Sequence, residues 1–190
     1  MTILKLAACG ASLVALAACG GSSTGSAPQT FSEQLSEGDA LAITLASIEY
    51  TDPTTLPVSG SATYSGYLGV DAGELGQAIG QMSLTASFAS DSISGNVRNV
   101  VAEDEEQLSG SLSISGGTID RTADTDIEFT FAADVDGTLT GEDGDFVVDA
   151  ELLGDFTGEN HQYVEGPVGG TVTFDGQDFN INDGGFVAER

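Results

Sequence analysis

The residues able to do chemistry in this chain are mostly carboxylates, and they come in short runs. Glu103-Asp104-Glu105-Glu106 is a run of four, and Asp134-Val135-Asp136-Gly137 and Asp143-Gly144-Asp145 set acids one residue apart. Carboxylates at such spacings are ligands that Ca²⁺ prefers. Adjacent side chains in a hairpin do not all converge, so the first run reads as a solvated turn. The second fails as an EF-hand loop: with Gly137 as the invariant sixth residue, Ala132 falls where the first ligand belongs. What remains is loose surface binding. The single histidine, His161, sits in Gly158-Glu159-Asn160-His161-Gln162-Tyr163-Val164-Glu165. His, Tyr and carboxylate together suit Fe(III) or another transition metal. One histidine without partner spacing reads instead as part of a polar surface loop, so neither a metal nor a cofactor is expected.

Covalent chemistry finds little support. Gly21-Ser22-Ser23-Thr24-Gly25 spells a nucleophile elbow, but the elbow needs a strand before it and a helix after it, and this string lies in a Gly/Ser/Thr tract. A Ser-His-Asp triad would have to use His161, which has no nucleophile motif nearby. Paired carboxylates keep a carboxylate-dependent hydrolase open as the lesser alternative. The 190 residues hold 30 Asp+Glu against 4 Lys+Arg, a net charge of −26. That balance excludes a nucleic-acid binder, because phosphate contacts need Lys and Arg. It also argues against a protein held by anionic headgroups. An apolar fraction of 40% is enough for a core.

Residues 1–18 carry Lys5 and then an apolar run through Ala18. This is the pattern of an export signal, too short for a mature membrane span. The run ends Leu16-Ala17-Ala18-Cys19-Gly20, which resembles the lipobox of bacterial lipoproteins, in which the cysteine is lipidated. Leu6-Ala7-Ala8-Cys9 repeats the tetrapeptide too early to leave an apolar core before it. The resemblance implies cleavage before Cys19 and a lipid bilayer as partner. Gly20, where inner-membrane lipoproteins carry Asp, implies the outer membrane, on its periplasmic face or at the cell surface. Cleavage removes the one lysine and no acid, leaving Arg98, Arg121 and Arg190 as the only cations. Each is expected to make a local ion pair worth ~0–1 kcal/mol. One cysteine then remains, so no disulfide is expected. Residues 19–30 read as a lipidated flexible tether.

The chain beyond the tether changes period once. Over 31–49, apolar Phe31, Leu35, Leu41, Leu45 and Ile48 recur at near-helical spacing behind a Thr30–Glu33 capping box. Pro53 and Pro57 end this helical lead-in, assigned to 31–56. From residue 60 the period is two. Eight alternating segments follow, at 61–70, 81–89, 93–101, 107–115, 125–136, 145–156, 168–174 and 178–188, the last with a bulge at Gly184-Gly185. Short Gly/Asp/Ser turns join them into an antiparallel meander, and closure into an up-and-down barrel removes both edges. The polar faces carry Ser, Thr, Asp and Glu, where a transmembrane barrel needs an apolar outer band. The apolar side therefore points inward. The inward set includes Tyr64, Leu84, Phe88, Phe129, Phe131, Val148 and Phe174, and Val101 joins Ile93 and Val97 on the third segment. It carries no charge, so any internal ligand should be apolar.

Several short motifs also point to a family. Leu56-Pro57-Val58-Ser59-Gly60-Ser61-Ala62-Thr63-Tyr64-Ser65-Gly66 opens the barrel. Ile93-Ser94-Gly95-Asn96-Val97, Leu108-Ser109-Gly110-Ser111-Leu112, Asp155-Phe156-Thr157-Gly158 and Val168-Gly169-Gly170-Thr171-Val172 follow, and Gly185-Phe186-Val187-Ala188-Glu189-Arg190 closes the chain. With the lipobox, residues 57–190 resemble the small bacterial lipoproteins built on the transferrin-binding-protein-B-type β-barrel. The resemblance implies an eight-stranded barrel, an outer-membrane lipid anchor and a binding role, with the acquisition of a nutrient or iron implied by the family alone. It does not carry over transferrin binding, which the full receptors make with loops and a handle domain absent from this chain. The expected protein is all-β: an eight-stranded barrel with a short N-terminal helix that packs against it or caps one end. Its expected role is a non-catalytic surface binding module for an unknown protein or small molecule. The alternative is a lipocalin-like periplasmic carrier of a small apolar ligand.

Overall fold

The computed structural model describes residues 29–190. The expected signal peptide, Cys19 and the tether up to residue 28 lie outside the described residues. Gln29 and Thr30 already make specific contacts. Gln81 donates to Gln29 Oε1 at 2.6 Å, and Gln29 donates to Glu37 at 2.9 Å.

Helix α1 (Phe31–Leu45) starts on the expected capping box. Thr30 Oγ1 accepts from the Glu33 N–H at 3.2 Å, and the Glu33 carboxylate accepts from the Thr30 N–H at 2.9 Å. A second acid comes from the barrel: Glu105 accepts from the Phe31 N–H at 2.8 Å and faces the positive end of the helix. The helix packs along the outer wall and caps neither end. Its buried stripe is Phe31, Gln34, Gly38 and Leu45, and Leu35 is exposed, against the spacing argument. The wall decides this, because Gly38 lies directly on the Tyr67 side chain. Phe31 joins Ile79 and Val101 in a small second core between helix and barrel.

The barrel runs β1 (Ser61–Asp71), β2 (Gln77–Ser87), β3 (Ser92–Ala102), β4 (Gln107–Ile119), β5 (Phe131–Thr140), β6 (Asp145–Thr157), β7 (Tyr163–Phe174), β8 (Gln177–Asn180) and β9 (Asp183–Glu189). Every pairing is antiparallel. Sequential strands pair from β1 to β7, and β9 closes the circle by pairing with both β1 and β7. Eight positions surround the axis, because β8 and β9 share the eighth. β8 pairs with Thr171–Phe174 of β7, and β9 pairs with Tyr163–Pro167. The register slips by one residue between them, so the bulge expected at Gly184-Gly185 begins at the break Ile181-Asn182. Residues 29–190 thus hold a closed hydrogen-bond ladder and their own core, the conditions for folding as a unit.

Two expectations fail for local reasons. Val101 faces outward, under α1, and Val100 takes the inward place. Asn99 at φ 52° inserts a bulge between Val97 and Val100, which reverses the parity of the strand. The fifth strand begins at Phe131, and residues 120–130 form a turn-rich excursion. Asp120 accepts from the Thr122 N–H at 2.8 Å and Asp124 from the Asp126 N–H at 3.2 Å. Such Asx-type bonds hold the backbone in turns despite the alternating sequence. Ile127 and Phe129 are therefore 80% and 42% exposed, and Phe129 does not point into the barrel.

Candidate functional site

The interior of the barrel divides into a packed half and a hollow half. The packed half lies at the end where β2 turns into β3 and β6 turns into β7. Phe156 is its centre, with ring centroids 5.1 Å from Phe131, 6.0 Å from Phe88 and 6.1 Å from Tyr64, and Phe131 meets Phe186 at 6.1 Å. Gly154 makes room for two of these rings. A Cβ there would stand 2.5 Å from Phe131 Cζ and 2.6 Å from Phe186 Cζ. The Tyr64 hydroxyl donates to the His161 carbonyl at 2.9 Å, and its burial pushes its pKa well above the usual tyrosine range.

Two chain segments seal this end. The lead-in pairs with the end of β6 through a bridge between Tyr50 and Thr157, and the Thr51 N–H donates to the Phe156 carbonyl at 2.7 Å. The excursion 120–130 is tied down at Asp155, which is 4% exposed and accepts from the Thr130 N–H at 2.9 Å and hydroxyl at 2.7 Å. Arg121 was expected to make one local ion pair and does more. It pairs with Asp91 at 2.7 Å and donates to the carbonyls of Leu56, Pro57 and Phe88 at 2.7–3.0 Å. One guanidinium thereby joins the lead-in, the β2–β3 turn and the excursion.

The opposite half is a cavity of about 300 Å³. Its deep wall is Leu68, Val97, Leu112, Val135, Ala150 and Val168, all buried and mostly smaller than the rings of the packed half. Nearer the opening are Val70, Leu108, Ile181 and the pair Phe146 and Phe174, which stack at 4.6 Å and 17° on adjacent strands. A volume of ~300 Å³ stands at the lower bound of small-molecule sites, and an apolar void of ~150 Å³ already stays dry and takes up benzene. The mouth lies among the turns β1–β2, β3–β4 and β5–β6. Glu74, Glu103, Asp104, Glu106 and Asp143 line it.

The sequence-predicted residues distribute as follows. Tyr64, Leu84, Phe88 and Phe131 are buried in the core, and Val148 and Phe174 line the cavity. The run 103–106 does not converge on one point. Glu105 turns to α1, Asp104 accepts from the Glu106 N–H at 3.0 Å, and Glu106 accepts from the Glu142 N–H. Asp134 and Asp136 lie on the outer face of β5, directly opposite Glu151 and Asp149 of β6. His161 meets a cation where a metal site would need carboxylates. Its Nε2 is 3.0 Å from Arg190 Nη1 and its ring lies edge-on to Phe88 at 5.2 Å. Burial and then Arg190 hold its imidazole below the ordinary range. Among the described residues no group of three or more His, Cys, Asp or Glu is placed to hold a metal ion. None of the described helices is long and apolar enough to cross a membrane. The cavity is what the lipocalin-like alternative requires; its one trace in the sequence is the scarcity of large inward residues at that end.

No protein-family model matches this chain, and no curated protein matches it.

Proposed function

We propose that this protein is a carrier that holds a small apolar molecule in the hollow half of its barrel. The cavity is the observation that carries the reading. A barrel meant only to display loops gains nothing from an unfilled interior, because each void forfeits packing contacts. The proposed role is non-catalytic: the deep wall presents aliphatic side chains and no hydroxyl, imidazole or thiol. We also propose delivery to the outer membrane through a lipidated Cys19. The closed barrel and the lipobox together support kinship with the transferrin-binding-protein-B-type barrel lipoproteins.

The test uses the chain from residue 19 with Cys19→Ser, titrated with an uncharged solvatochromic dye such as Nile red. Saturable binding of one dye per barrel is expected, and its loss in Ala150→Leu, which fills the cavity from a buried lining position. Binding that Ala150→Leu leaves intact, or no binding at all, overturns the carrier reading. Membrane fractionation tests the anchor: Cys19→Ser in the full chain should move the protein out of the membrane fraction, and retention there overturns it.

A further inference from the structure

We propose that the ligand is a cationic amphiphile: an apolar body sized to the cavity, with one ammonium-type charge held at the mouth. This deepens the carrier reading and rests on it. The apolar cavity supplies the site, and the charge at its mouth selects what enters.

Three separate hairpins bring carboxylates to that opening: Glu74 from β1–β2, Glu103, Asp104 and Glu106 from β3–β4, and Asp143 from β5–β6. Among the described residues, no Lys, Arg or His lines the cavity. The three arginines are spent elsewhere. Arg121 and Arg190 lie at the sealed end, and Arg98 lines a separate groove beside α1. The acids are not consumed by the fold either. Asp104 and Glu106 each accept one backbone N–H, and Glu74, Glu103 and Asp143 have no side-chain hydrogen bond or ion pair among the described residues.

The physical consequence is a filter by charge. An anionic amphiphile would bring its head into a field of like sign beside a low-dielectric wall, where Coulomb terms exceed their value in bulk water. A cationic head on the same tail would relieve the repulsion among the mouth carboxylates. A neutral head would do neither. The mouth side chains are exposed apart from half-buried Glu106, so salt should screen the discrimination over a Debye length of about 8 Å at physiological ionic strength.

The experiment is a matched series in the dye-displacement format, with the chain from residue 19 carrying Cys19→Ser. The probes are n-decylammonium and decanoate below their micellar concentrations and 1-decanol below its solubility limit, with methylammonium as the head alone. Decylammonium should displace the dye at least about tenfold more tightly than decanoate, with decanol between them and methylammonium inactive. The gap should narrow several-fold in 0.5 M NaCl and in Glu103→Gln/Asp143→Asn. These substitutions lie on exposed turns, so an unchanged thermal melt confirms the fold. Equal affinities across the series overturn the charge preference and leave the carrier reading standing. Displacement by none of the three tails overturns both. Methylammonium matching decylammonium shows attraction to the acidic surface alone and also overturns the proposal.

Discussion

The two halves of this barrel are made by the same strands, yet one is packed and the other hollow. Along β1 the inward residues pass from Tyr64 in the packed half to Leu68 and Val70 on the cavity wall; along β6 they pass from Phe156 and Leu152 to Ala150 and Val148. In the packed half, rings from five elements meet at one level, and the lead-in and the excursion seal the end. In the hollow half, the inward residues are mostly Val, Ala and Leu, the two rings present stack against each other at the rim, and only short turns border the opening. Close packing and empty space are thereby separated along one axis of the barrel.

The largest expected effect tests that division directly. Phe156→Ala should cost about 3–5 kcal/mol in urea denaturation, because it removes the ring on which three others rest. Phe146→Ala, at the half-buried rim, should cost less, about 1–2.5 kcal/mol for the stacked pair and the part of the ring hidden from water, while weakening dye binding. Equal costs would erase the distinction between the halves. Arg121→Met should come next, at about 1.5–3 kcal/mol, since it leaves three carbonyls without their charged donor. A loss below half a kilocalorie would mean that the seal does not depend on this side chain.

Smaller effects probe the outer surface and the sealed end. Asp136 and Asp149 face each other across β5 and β6, and like charges placed so are destabilising. Asp136→Asn should raise stability by about 0.2–1 kcal/mol at low salt, and the gain should vanish in 0.5 M NaCl. His161 should shape the pH profile. Its folded-state pKa lies below the ordinary 6.5, so on acidification the unfolded chain takes up the proton first. Its contribution is complete above pH 6.5 and is lost as the pH falls toward the folded value. His161→Gln should remove that part of the slope in melts recorded from pH 8 to 5, and an unchanged slope would place the titration elsewhere.

Much of this architecture was legible from the residues alone. Thr30 and Glu33 announce the helix start, because a capping box is satisfied within four residues. Period-two alternation announces strands with one dry face, because successive side chains on a strand must point to opposite sides. What misled was local chemistry that breaks the period. Ile127 and Phe129 alternate like a strand, but Asp120 and Asp124 bond their own backbone and hold the segment in turns. Val101 looks inward until Asn99 adds one residue and turns the remainder of β3 over. The carboxylates at the mouth are plain in the sequence as acids, but not as a ring, since three hairpins far apart in the chain supply them.

The sequence by itself determined the helix, most of the strands, the antiparallel barrel and an interior free of charge, because periodicity and capping are short-range patterns. Only the tertiary structure decided that the interior is half empty. Alternation says which side of the wall a residue faces, but the space left inside depends on which residues from eight positions share a level. That is a matter of register, bulges and summed volume, and no single strand contains it.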